Sequence, residues 1–170
     1  MPVSLGDLPG AAQALLEQIE GALVTLQGGA FLPTDQLGHV VAYLAPGSTV
    51  AYDSAGLVVN LVTVRPGAPG QPISTFIHYQ AMTQTAQFAI TLLRECSTLN
   101  DDGIPTPATI NDDAVTSLGD AQALWQAMVD VMAGYKWTEP GVPIAIVGCD
   151  SLGPEGGLIA ARLTVEVSLS

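Results

Sequence analysis

The chain reads as an α+β domain, a mainly antiparallel sheet of about five strands with two main helices packed on it, in the order α-β-β-β-α-β-β. Three observations predict this. Two long stretches, 8–27 and 107–133, repeat apolar residues every three or four positions, the helical period. Shorter runs rich in β-branched residues, bounded by Gly and Pro, fill the rest of the patterned sequence. The last run, Leu158 to Leu169, alternates almost without a break: Ile159, Ala161, Leu163, Val165, Val167 and Leu169 point one way, and Ala160, Arg162, Thr164, Glu166 and Ser168 the other. That period of two belongs to a half-buried strand. Strands grouped before and after a single intervening helix favour helices packed on an antiparallel sheet.

Each element has its own signals. In the first helix Leu15, Leu16, Ile19, Leu23 and Leu26 make the stripe, Pro9 occupies the first turn and Gly28-Gly29 ends the run. A short β-rich run from His39 to Ala45 closes at Pro46-Gly47. Leu57 to Arg65 follows, bounded by Gly56 and Pro66-Gly67. These two runs are expected as a hairpin or as neighbouring strands, with Ser48 to Ala55 connecting them. Pro66 to Pro72 has too much Gly and Pro for a sheet interior and is expected as an exposed loop. A third strand spans Thr83 to Cys96, with Ala86, Phe88, Ile90, Leu92 and Arg94 on one face, and Asn100-Asp101-Asp102-Gly103 turns the chain.

The second helix is expected from Pro107 to Ala133, capped by Thr109 or Asn111, with Asp112 and Asp113 in its first turns and Gly134 stopping it. Its predicted buried stripe is Ala114, Leu118, Ala121, Trp125, Met128 and Met132, with Leu124 and Val131 beside it. Gly119 weakens the helix locally by about 1 kcal/mol. Val142 to Cys149 is the fourth strand, and Gly153 to Gly157 reads as the turn into the fifth.

At 170 residues and 48% apolar content, the chain fits one domain, 1–170, with a single core and no internal repeat. Four cations, Arg65, Arg94, Lys136 and Arg162, face sixteen acids, for a net charge of −12. That balance excludes a basic footprint for sequence-specific nucleic-acid binding. It is compatible with DNA passing non-specifically along a carboxylate-lined surface. No run of about 18 apolar residues is present to span a membrane. Met1 to Gly10 lacks the basic and apolar regions of a signal peptide, so synthesis in a cytoplasm is expected. Cys96 and Cys149 are expected as buried free thiols, a disulfide requiring strands that bring them together.

No catalytic, cofactor-binding or metal-binding set is predicted. The glycines at 153–157 lack the Gly-Lys-Ser/Thr ending of a phosphate loop and precede a strand, whereas anion loops precede helices. Asn100 to Gly103 lacks the alternating acids of a calcium loop. His39 and His78 have no ligand-type residue at helical spacing, and both are expected as structural residues. Ser48 stands in Pro-Gly-Ser-Thr, not in a nucleophile elbow. Trp125 is expected in the core; Trp137 is either core or an exposed interface anchor.

Three stretches carry a resemblance. They are Val41 to Gly47 with Ala51-Tyr52-Asp53 and Leu57-Val58-Val59; Leu93 to Cys96 leading to Asn100 through Pro105; and Gly153 to Gly157 with the closing strand. Over roughly Gly38 to Ser170 the chain resembles the tail-terminator, or tail-completion, proteins of long-tailed actinobacterial phages. The resemblance implies an α+β protomer in a six-membered ring that caps the last ring of tail-tube subunits and stops polymerisation. It also implies a surface offered to the head-side connector, DNA as passing cargo, and a place in the virion neck. The contact residues expected are Arg65, Pro66, Gly67 and Pro69, the turn at Asp101 and Asp102, Trp137, and Arg162 with Glu166 on the polar face of the last strand. Arg65 and Arg162 are each expected to meet a carboxylate, whether of the same chain or a neighbour's. The alternatives are a head-closure or stopper protein of the same neck, a tail-tube subunit, or, in another class, a small ligand-binding or hydrolytic domain with its site between helix and sheet.

Overall fold

A computed structural model describes residues 8–27, 32–33, 41–47, 55–72, 84–96, 106–133, 144–155 and 157–169. The element order is the one expected: α1 (Leu8–Gln27), β1 (Ala42–Leu44), β2 (Gly56–Pro66), β3 (Gln84–Glu95), α2 (Pro107–Ala133), β4 (Ile144–Glu155) and β5 (Leu158–Leu169). The strands form one sheet in the order β1-β2-β3-β5-β4. All pairs are antiparallel except β1 with β2. Those two are neighbours but parallel, with Tyr43 opposite Val58, so they do not form a hairpin. At their junction a side chain on Gly56 would lie 3.1 Å from both the carbonyl and Cγ1 of Val41, so the missing Cβ lets β1 close on β2.

Both helices lie on one face of the sheet, α1 mainly over β1 and β2, α2 over β5 and β4. Leu15, Ile19 and Leu23 of α1 and Leu124 and Met128 of α2 pack on the alternating residues of the central strands, among them Phe88, Ile90, Leu163 and Val165. Burial on this face follows the period of two in β3 and β5. The opposite face carries a smaller cluster, Val58, Leu93 and Ala160, with Tyr43, Ala45 and Leu152 against it.

Several local expectations change. Thr106, not Thr109 or Asn111, caps α2: its hydroxyl accepts the amide of Thr109 at 3.2 Å, and Pro107 takes the first helical position, where its lack of an N–H costs nothing. Asp112 and Asp113 therefore lie beyond the first turn, which holds no acid. β4 runs on through Gly153 and Pro154 to Glu155, which pairs with Leu158, so residues 153–155, expected in the turn, are strand. Pro154 is tolerated because β4 is an edge strand, and Gly157 supplies a φ of 82°.

The largest change is the rotation of α2. Its buried residues are Ser117, Asp120, Ala123, Leu124, Ala127, Met128 and Val131. Leu118 is 63% exposed and Trp125 45%, so neither belongs to the core. Asp120 instead turns inward to Arg94 of β3, whose Nε lies 2.7 Å from its carboxylate. Burial pushes the Asp120 carboxyl up, further than the hydrogen bond and charge of Arg94 bring it down. Leu26 of α1 is likewise exposed. Among the described residues no helix is long and apolar enough to cross a membrane.

Thr106→Ala removes the α2 cap and is expected to cost about 1 kcal/mol. Urea denaturation checks this as a lower midpoint at unchanged slope.

Candidate functional site

Arg65, Pro66, Gly67 and Pro69 form one built corner with Glu166. A register shift between Leu61 and Thr63 resets the alternation of β2, so Arg65 sits opposite Thr85. Glu166 lies opposite Gln87, on the sheet face away from the helices. Across β3 the two side chains meet. Glu166 accepts from Arg65 Nε at 3.0 Å, from Arg65 Nη2 at 2.7 Å and from the amide of Gly70 at 2.7 Å. Arg65 Nη2 also donates to the carbonyl of Gln71 at 3.0 Å, and the Thr85 hydroxyl donates to the carbonyl of Gly67. Gly70 holds a φ of 72°, which a side chain would strain, and this conformation presents its amide to the carboxylate.

Burial pushes the Glu166 carboxyl up, but the Arg65 hydrogen bond, the Gly70 amide and the Arg65 charge more than offset it. It therefore titrates below the ordinary glutamate range. The carboxylate that Arg65 meets belongs to its own chain, and both side chains are largely buried. The corner pins the 66–71 loop to the sheet while leaving Ala68, Gly70 and Gln71 exposed as its outer surface.

Arg162 does not pair with Glu166, although both lie on the same face of β5. Its Nη2 donates to Asp150 of β4 at 3.3 Å, in an exposed pair worth no more than about 1 kcal/mol. Its Nε is buried without a hydrogen-bond partner, so this guanidinium is only partly used within the chain. Asp101, Asp102, Trp137, His39 and His78 lie outside the described residues. Cys96 and Cys149 are both free and half-buried. The Cys149 thiol donates to the carbonyl of Ala121 at 3.5 Å; burial, then the neighbouring Asp150 charge, push its pKa up.

The surface that sequence reasoning missed is on α2. Val115, Leu118, Trp125 and Val129 are exposed at alternating intervals of three, seven and four residues, which places them along one side of the helix. From Ala114 to Val129 the only ionisable residue is Asp120, and it is buried. The signal was present as a second apolar stripe on the same helix. Beside α2 runs β4, the edge strand among the described residues, with Val147 52% exposed.

A cleft of about 330 Å³ lies between the start of α2 and the β4–β5 hairpin, lined by Cys96, Ile110, Ser117, Ser151, Leu152 and Pro154 among others. Ser117 and Ser151 hydrogen-bond to each other there, and Ser117 also donates to the carbonyl of Ala160 at 3.3 Å, so both hydroxyls serve the packing of α2 on the hairpin. Asp113 is the carboxylate in its lining. Neither buried ion pair, Arg65–Glu166 or Arg94–Asp120, opens into this cleft. Among the described residues no three His, Cys, Asp or Glu side chains converge as a metal site would require.

No protein-family model matches this chain, and no curated protein matches it significantly.

Glu166→Gln tests the corner. A carboxylate whose pKa is lowered by folding contributes stability above its unfolded pKa and loses it as the pH falls through the folded value. The substitution is expected to cost about 2–3 kcal/mol at neutral pH, the scale of a partly buried charged hydrogen-bond set. Denaturation measured across the acid range should show the gap between wild type and variant shrinking below the ordinary glutamate range.

Proposed function

We propose that this chain is a structural protein of a phage neck, a tail terminator whose copies form a ring, hexameric by the resemblance, on the end of the tail tube. The ring ends tube polymerisation and joins the tube to the head-side connector, and DNA passes through it without specific contact. In this reading the protein works in the virion and performs no bond-breaking step.

One observation carries the reading beyond the sequence resemblance. A chain with a net charge of −12 exposes an apolar face of α2 with no exposed charge, next to the strand that ends the described sheet. Such a face marks a protein contact. The acidity supports the rest: carboxylates repel the DNA phosphates, so a passing duplex meets no adhesive surface. The cleft beside Ser117 and Ser151 is the observation that favours the other class, a small ligand-binding domain.

Negative-stain microscopy of the purified protein distinguishes these readings. A terminator gives discrete single rings that do not elongate, and added tail-tube protein gives tubes capped at one end. Long tubes from the chain alone would identify a tail-tube subunit. Capping of the head connector without capping of tubes would identify a stopper. Monomers with no affinity for either would remove the chain from the neck.

A further inference from the structure

We propose that the polar centre of the sheet face turned away from the helices is a binding site for internal water, one or two molecules held between β2, β3 and β5. Three side-chain atoms mark it: Oδ1 of Asn60, the hydroxyl of Thr91 and Nε of Arg162. Each is buried, and among the described residues none has a hydrogen-bond partner. Asn60 and Thr91 are only 2% and 1% exposed, so bulk solvent does not serve them. A buried polar atom left unmatched is costly, and three on one face point to a ligand that matches them.

The strand register brings the three together. Thr91 lies opposite Val58 on one side and opposite Arg162 on the other. Asn60 is the next residue of β2 on the face that Val58 occupies, the face away from the helices. Directly opposed side chains have Cβ atoms about 5 Å apart, and diagonal ones about 7 Å. Such spans exceed a direct hydrogen bond; one water, at about 2.8 Å from each partner, or two in line, cover them. Ala89, opposite Asn60 and two residues before Thr91, adds only a methyl group to the space between them.

The chemistry of the three atoms selects the ligand. Asn60 donates through Nδ2 to the carbonyl of Gly47 at 3.2 Å, which fixes the amide and leaves Oδ1 as an acceptor. Arg162 Nε can only donate, and the Thr91 hydroxyl does either. An anion would face the Asn60 oxygen, and a cation would face the guanidinium. A neutral molecule that both donates and accepts satisfies all three, and atoms this enclosed admit only a small one. Water does so, with a number of polar partners ordinary for an internal water. The cross-strand row Val58, Thr91, Arg162, Asp150 runs from this centre to the exposed carboxylate of Asp150, the side from which such a water would exchange.

The test uses the full chain and two measurements. Oxygen-17 magnetic relaxation dispersion of the solvent detects waters held longer than the protein tumbles, and urea denaturation reads stability. Thr91→Val replaces the hydroxyl with a methyl group of nearly the same size, whereas Thr91→Ser keeps the hydroxyl. Expected are a wild-type dispersion from internal water, loss of part of it in Thr91→Val together with a lower urea midpoint, and a dispersion retained in Thr91→Ser. The midpoint falls because the water's other partners, Asn60 and Arg162, are left unmatched; removing a hydroxyl that held nothing would raise it. A dispersion that Thr91→Val leaves unchanged, or a midpoint that does not fall, overturns the site. Should Thr91→Val not fold, Arg162→Met, at a side chain 42% exposed, removes the donor and should reduce the dispersion in the same way. An unchanged dispersion there overturns the site as well. Neither result bears on the assembly reading, which stands or falls on the microscopy.

Discussion

The fold turns on where one carboxylate goes. Asp120 stands in the middle of α2 and faces inward, and a charge in that position is tolerable only with a cation and good hydrogen bonding. Arg94, on the helix-facing side of β3, supplies both. The pair ties α2 to the centre of the sheet and sets the rotation of the helix about its own axis. Leu124, Met128 and Val131 go in with Asp120; Val115, Leu118, Trp125 and Val129 stay out. The apolar outer face of α2 lies on the side of the helix away from this pair.

Scarcity of cations runs through the rest of the design. Among the described residues Arg65, Arg94 and Arg162 each meet an acid of the same chain, and each contact joins separate elements: β2 with β5, β3 with α2, and β5 with β4. The three differ in worth. The Arg65–Glu166 corner is largely buried and also holds a loop amide, whereas Arg162–Asp150 is open to solvent and screened. With these three arginines used to fasten elements together, the described part of the protein presents outward few cations and an uncharged apolar helix face.

That contrast connects structure to proposed role. Like-charged protomers that must touch need contact surfaces free of charge, and long-range repulsion elsewhere discourages contacts in other places. The edge strand β4 borders the α2 row and carries its own protection against indiscriminate strand pairing: register shifts near Gly148 and before Glu155, and Pro154 near its end.

The α+β class, the element order and the helix-facing residues of β3 and β5 were legible in the chain alone, because a period of two or of 3.6 records which side of an element is buried. Arg94 was even placed on the correct side of its strand. The local patterns did not reveal the parallel pairing of β1 with β2, since strand direction depends on the path between strands. Nor did they reveal the phase of α2, which carries two apolar stripes and buries the one that contains Asp120. Arg65 and Glu166, 101 positions apart, were both singled out, yet their partnership came only when β3 brought β2 and β5 to its two sides. Periodicity is a property of neighbours along the chain; pairing of charges is a property of neighbours in space.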